Sequence, residues 1–317
     1  MSKGGVKGER RSPYLCQKEG LKGNDVPLNI LIIYIYMLKI ESKAIAECNY
    51  NIFGEWISND KLTIKTEPYD HIIIDNFINE SYYEKLQSSF PKEPNETWWQ
   101  YKNPLEVKYT FDNLEEFGPN IKNIFYALSH EIIINKLKHL FNIPNLEHDP
   151  YCHGAGLHMH PRHGRLNMHL DYEVHPITNK QRRLNIILYL NDEWDNMWNG
   201  DTQLWNSDMT ECVVKSYPKS NTAIIFVTTE QSWHGVPEII NCPPDVYRKT
   251  IAFYYVSDIQ NKSDLDKMGA ELDGYRKKAV FAKRPSDKYD ANMEELYRIR
   301  PYRLITRDDL DKYFPNW

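Results

Sequence analysis

The 317-residue chain has no C-x-x-C pair, no Lys/Arg block, no internal repeat and no low-complexity segment. Each absence excludes something. Its 5 cysteines (Cys16, Cys48, Cys152, Cys212 and Cys242) are odd in number and scattered, which excludes a disulfide framework or a zinc ribbon. They read as reduced thiols in a cytoplasmic compartment. With 39 Lys+Arg against 44 Asp+Glu, the formal net charge is −5. No cationic stretch stands ready to release counterions from phosphates, so no nucleic-acid partner is expected. The apolar run Leu28–Leu38 follows a basic leader but falls short of the roughly 18–20 residues that cross a bilayer. No small-residue cleavage site follows it, and no stable membrane insertion is expected. Two readings of this run compete: a local hydrophobic element, or an upstream extension with Met37 as the true start. Domain-like patterning begins only after Met37, which favours the second.

What is present is a folded-protein composition, 41% hydrophobic and 26% charged, with 22 Tyr and 8 Trp. Residues 1–65 form a poorly patterned N-terminal extension. Residues 66–149 read as a helical support region. His71–Asp75 is a short β-branched strand. Ser81 and Glu84 form a capping box for a helix carrying Ile78, Tyr82, Leu86 and Phe90. A second helix is expected over 119–142, with Pro119 in its first turn and Ile121, Ile124, Phe125, Leu128, Ile132, Leu137 and Leu140 on one face. Past Pro150 the text changes to short strands with turn signals: 165–172, 182–191, 200–205, 211–217, 222–228 and 249–256. This is the pattern of an all-β sandwich, meander or jelly roll rather than of βαβ units. Residues 150–257 are the expected core, and 258–317 a polar, partly helical wrap on it.

Six of the 11 histidines fall within 153–175. Strand alternation selects among them. In 165–172, Asn167, His169 and Asp171 share one face while Leu166, Met168 and Leu170 share the other. The roots of His169 and Asp171 are about 7 Å apart, near enough to converge on one ion. His234, in the turn Ser232-Trp233-His234-Gly235-Val236-Pro237 after a strand, is the third candidate ligand. Two histidines and one carboxylate make the facial triad of non-haem Fe(II) oxygenases, whereas zinc is more often closed off by four ligands or held by His₃ or His₂Glu. His153, His158, His160, His163 and His175 are expected to be dispensable for the metal, because none pairs with a carboxylate at i+2 in a strand. Trp98-Trp99, Trp194, Trp198, Trp205 and Trp233 are candidates for a cleft wall, with packing the better expectation.

Arg248 opens the last strand of the β region. An oxygenase that uses 2-oxoglutarate needs a fixed, preferably bidentate cation for the distal carboxylate inside the barrel. Alternation in 182–191 puts Asn185, Ile187 and Tyr189 on one face, where the Tyr189 hydroxyl can hydrogen-bond the same carboxylate. His169-x-Asp171, Tyr189-Leu190-Asn191, Asn199-Gly200, His234-Gly235-x-Pro237 and Arg248-x-Thr250 together resemble the Fe(II)- and 2-oxoglutarate-dependent dioxygenase superfamily, in its prolyl 4-hydroxylase-like branch. The resemblance covers about residues 69–257. It implies a mainly β fold, a double-stranded β-helix (jelly-roll) core buttressed by N-terminal helices. It also implies iron ligation by His169, Asp171 and His234, and 2-oxoglutarate binding by Arg248 with Tyr189 and Thr250. The implied reaction hydroxylates an unactivated C–H with O₂ and 2-oxoglutarate, yielding succinate and CO₂, with ascorbate as a supporting reductant. Three features depart from the family pattern: Asn199 where Gly is frequent, Arg248 where collagen-type enzymes carry Lys, and a loop with Cys242-Pro243-Pro244 before Arg248. The rival class is a non-catalytic cupin-like metal-binding jelly roll, which explains the triad but gives Arg248 and Tyr189 no joint role. A protein prolyl residue, a sugar or lipid, and a free small molecule all stay open as substrates.

Overall fold

Alternating inward and outward side chains build one antiparallel sheet of thirteen strands in the computed structural model, which describes residues 40–259 and 278–317. The Leu28–Leu38 run, Met37 and Cys16 lie outside these residues. The strands are β1 His71–Ile74, β2 Trp99–Asn103, β3 Glu106–Phe111, β4 Glu147–His148, β5 Gly156–His160, β6 Arg165–Leu170 and β7 Gln181–Tyr189. They continue as β8 Thr202–Trp205, β9 Cys212–Ser216, β10 Ala223–Val227, β11 His234–Val236, β12 Arg248–Ser257 and β13 Val280–Phe281. The order across the sheet is β1-β10-β7-β12-β5-β3-β6-β11-β8-β9, with β2 on β3, β4 on β12 and β13 on β6. All six strands expected past Pro150 are present. The sheet curls so that its halves face each other. The Phe226 ring on β10 lies 4.8 Å from that of His234 on β11, and Leu204 of β8 packs with Tyr189, Ile224 and Phe226. The chain thus folds as a double-stranded β-helix.

The outer face of β12 is apolar and meets helices. The helices are α1 Ser42–Glu47, α2 Glu80–Ser89, α3 Pro119–Leu128, α4 Glu131–Phe141, α5 Ala291–Ile299 and α6 Arg307–Tyr313. Phe253 packs on Phe125 of α3 with ring centroids 5.8 Å apart, and the Tyr255 hydroxyl donates to the Leu128 carbonyl at 2.7 Å. Among the described residues no helix is long and apolar enough to cross a membrane.

Local chemistry moves several boundaries. The cap of α2 is Asn79, not Ser81. The Asn79 side chain accepts from Tyr82 N–H at 3.0 Å and donates to Asn51 O at 2.9 Å, so a tertiary anchor and a cap coincide. Ser81 already lies inside the helix. The single helix expected over 119–142 breaks at Ser129–His130. Ser129 Oγ donates back to the Phe125 carbonyl at 2.8 Å, and His130 adopts an extended backbone and caps α4 by accepting from Ile132 N–H at 3.3 Å. The break turns Ile132 outward, where it is 40% exposed. Residues 66–149 also supply strands, notably the β2–β3 hairpin. Within the expected extension, Ile40, Ile52, Phe53 and Trp56 are buried, and Trp56 stacks on Phe77 at 4.9 Å.

Gly156 adopts φ +132°, and a Cβ there would lie 2.4 Å from the Phe111 carbonyl oxygen of the neighbouring strand. Both backbone conformation and contact exclude a side chain. Gly156→Ala should destabilise the protein by about 1–3 kcal/mol, read as a lower urea midpoint at unchanged slope. An unchanged midpoint would show that β3 and β5 can separate freely.

Candidate metal centre

Three elements deliver the candidate ligands. His169 stands near the end of β6, Asp171 follows just beyond it, and His234 opens β11, whose register sets His234 opposite His169. One atom from each residue lies within 4.8 Å of the other two, the single such group among the described residues. Asp171 Oδ1 is 3.7 Å from His169 Nε2, and Oδ2 is 3.5 Å from His234 Nε2. All three side chains are largely removed from solvent.

The imidazoles are oriented from behind. His169 Nδ1 is 3.0 Å from the Asn167 carbonyl, and His234 Nδ1 is 2.9 Å from the Ser232 carbonyl. A carbonyl only accepts, so each Nδ1 carries the proton and each Nε2 keeps a lone pair directed at the carboxylate. Burial, and then the neighbouring His234, pushes His169 down to about 3. Burial likewise lowers His234. Burial would raise Asp171, but the Arg182 guanidinium beside it holds the carboxyl at about 2. Two neutral imidazoles and one carboxylate are the donor set a divalent cation needs.

Arg182 and Asn185 support this centre, although strand alternation does not single out Arg182. Its Nη1 is 3.0 Å from Asp171 Oδ2, while Asn185 Nδ2 donates to the same oxygen at 3.3 Å. The guanidinium lies 3.3 Å from the Tyr254 ring centroid and 4.0 Å from that of Tyr172. Simple alternation from Asn185 would select Arg183. A register shift pairs Tyr255 with Leu184 but Val256 with Arg182, and this bulge turns Arg182 inward instead.

Farther into the barrel, Arg248 is 2% exposed. Its Nε donates to the Gly200 carbonyl at 2.6 Å and its Nη2 to Thr202 Oγ1 at 2.8 Å. The Tyr189 hydroxyl reaches Thr202 Oγ1 at 2.7 Å and the Ser216 carbonyl at 3.0 Å. Thr250 is buried opposite Tyr189. The structure therefore groups Arg248, Tyr189 and Thr250 on one inner surface. The remaining histidines divide. His158 and His160 share the inner face of β5, and buried His175 approaches Asp149 to 3.1 Å. The tryptophans pack: Trp205 with Met168 and Met209, and Trp194 edge-on to Trp198.

Burial, the largest cause in each case, holds His153, His158 and His169 at about 3 and also lowers His160 and His234. A histidine neutral when folded and charged when unfolded lets the unfolded chain bind more protons between about pH 3 and 6.5. Stability therefore falls as pH falls through that window, by about 1.4 kcal/mol per pH unit for each such group. Asp171 acts separately, since its contribution is lost only as pH falls below its unfolded value of about 3.9. Urea midpoints of the metal-free protein should drop steadily from pH 7 to pH 4, and His158→Leu should shallow that slope by about one proton. A flat profile would contradict the neutral-histidine interior.

Residues 155–256 match the model of the 2OG-Fe(II) oxygenase superfamily. No curated protein matches the chain. Among solved structures, a prolyl-4-hydroxylase from Pseudomonas putida is similar at 12% identity and TM-score 0.45, covering 60% of this chain and 93% of that one. A prolyl hydroxylase from Trichoplax adhaerens, in complex with a hypoxia inducible factor peptide fragment, is similar at 16% identity and TM-score 0.40, covering 59% and 83%. HygX from Streptomyces hygroscopicus, with nickel, 2-oxoglutarate and hygromycin B bound, is similar at 11% identity and TM-score 0.38, covering 59% and 82%. The matched residues 155–256 contain His169, Asp171, His234 and Arg248.

Proposed function

We propose that His169, Asp171 and His234 hold the Fe(II) of this 2-oxoglutarate-dependent dioxygenase, and that Arg248, with Tyr189 and Thr250, anchors the distal carboxylate of 2-oxoglutarate. The observation that carries this reading is a buried pair of opposites: a cage of neutral imidazoles and one carboxylate, and Arg248, which donates to Gly200 and Thr202 and has no carboxylate within ion-pair distance among the described residues, Asp201 acting on it from farther off. Bound there, iron supplies oxygen activation coupled to decarboxylation of 2-oxoglutarate to succinate and CO₂. The chain supplies placement. Arg182 and Asn185 hold Asp171 Oδ2, which fixes the carboxylate's orientation. Arg248 directs Nε at the Gly200 carbonyl and Nη2 at Thr202 Oγ1, and its other N–H donors can still grip a carboxylate. Ile187, Ile224 and Phe226 line the sheet around Tyr189 and keep that end of the site dry.

Residues 150–257 form the catalytic core in this reading, 66–149 its support and 258–317 its wrap. The oxidised position is an unactivated C–H of a substrate that the core alone does not name. Four unpaired cysteines, Cys48, Cys152, Cys212 and Cys242, support a reducing, cytoplasmic setting.

Succinate formation with Fe(II), 2-oxoglutarate and ascorbate tests the reading. Losing a charged hydrogen bond costs roughly 1.5–3 kcal/mol, or about ten- to a hundredfold in affinity. Arg248→Ala should raise the KM for 2-oxoglutarate by that factor with Fe(II) binding nearly intact, and Arg248→Lys should recover only part of it. Asp171→Ala should lose Fe(II). A wild-type protein that binds Fe(II) yet neither binds nor turns over 2-oxoglutarate would be an inert metal module instead.

A further inference from the structure

Two rows of side chains cross the inner face of the sheet beside Arg248. Thr110 of β3 lies opposite His158 of β5, which lies opposite Thr250 of β12. In the next row His160 lies opposite Arg248. Lys108, two residues from Thr110, falls on the same face of β3. Lys108 and Arg248 therefore stand two strand spacings apart, roughly 10 Å between backbones, with His160 between them. His160 is 2% exposed, and neither of its ring nitrogens has a partner among the described residues. An imidazole buried without hydrogen bonds is costly, and a ligand that supplies one recovers that cost.

The two cations are drawn apart. Gly200 and Thr202 hold Arg248 toward β8. Lys108 Nζ lies 3.8 Å from Glu106 Oε2, on a side chain only 13% exposed. Glu106 also takes Arg300 Nε at 3.2 Å, so one carboxylate faces two cations. The Tyr101 ring on β2, 5.1 Å from Lys108 Nζ, closes the other side. A single 2-oxoglutarate running from the metal cage to Arg248 neutralises Arg248, but leaves Lys108 sharing one carboxylate with Arg300 and the His160 imidazole idle.

We propose that Lys108 and His160 form a second carboxylate-binding subsite, which receives an acid group of the substrate being oxidised. The inference rests on the reading of Arg248 as the cosubstrate anchor. It narrows the substrate to a carboxylate-bearing molecule.

Acetate is the probe, followed by saturation-transfer NMR on the full chain loaded with Zn(II) and saturated with 2-oxoglutarate. Wild type should bind acetate. Lys108→Met and His160→Phe should each weaken that binding at least about tenfold, while Lys108→Arg, which keeps the charge, should stay within about threefold. Melting curves of the same variants separate loss of the subsite from loss of the fold, and the Lys108→Arg comparison decides if Lys108→Met proves unstable. Two results overturn the proposal. One is no acetate binding to the saturated wild type. The other is a Lys108→Met variant that loses tenfold in 2-oxoglutarate affinity but none for 2-oxobutanoate, which lacks the distal carboxylate; the subsite would then belong to the cosubstrate. If 2-oxoglutarate fails to bind wild type, or Arg248→Met leaves its affinity unchanged, the anchor reading falls by itself. Acetate titrated into cosubstrate-free protein then still decides for or against Lys108 and His160.

Discussion

The centre of this barrel depends on keeping one carboxylate ionised where water is almost excluded. A lone buried charge costs several kcal/mol, so Asp171 persists as an anion chiefly because Arg182 meets it at ion-pair distance. Arg182 must itself be desolvated for that, and the rings of Tyr172 and Tyr254 replace water on its two faces. Those rings come from the chain just past β6 and from β12, so the two sheet halves are joined through one guanidinium. A neutral residue at either member would leave the other stranded, which is why a polar pair sits where a sandwich core would ordinarily be apolar.

Around this pair, orientation is achieved with short-range means. Each candidate metal-binding imidazole leans on the carbonyl two residues before it, so its tautomer is fixed inside its own chain segment. The His169 ring is further stacked at 5.2 Å on Phe281, which arrives from β13. Local hydrogen bonds thus choose the proton position, and distant packing chooses the ring plane. The cationic end is built the opposite way, since Arg248 on β12 is held by Gly200 and Thr202, far away in the chain.

Which parts of this were legible in the sequence follows from the range of the forces involved. Period-two alternation exposed the core strands and the shared face of His169 and Asp171, because that pattern is a property of single strands. Arg248 stood out only through the triad, since an arginine opening a strand is by itself more often a surface residue; its burial inside the barrel is a property of the fold. Arg182 was hidden by a bulge, an irregularity that alternation cannot express. The β2–β3 hairpin was legible too, since Trp99–Asn103 and Glu106–Phe111 each alternate apolar and polar residues; what alternation does not tell is that the polar face of Glu106, Lys108 and Thr110 turns inward. Lys108, Glu106 and Arg300 acquire meaning only through pairing across 194 residues of chain. The helix break at Ser129–His130 is the same lesson in reverse, where two side chains competing for backbone groups override a continuous apolar face.

The strand that carries Arg248 is also the one that lies between β7 and β5 in the sheet, although it is the last long strand of the core to be synthesised. A ribosome releasing this chain in order therefore produces two partner strands long before the one that separates them. Until β12 emerges, β7 and β5 each present an open, largely apolar edge, a template for pairing with other chains. Assembly of the barrel is thereby an insertion rather than an accretion. The placement of Arg248 and the closure of the sheet become a single event, so no shorter product of the same chain can possess one without the other.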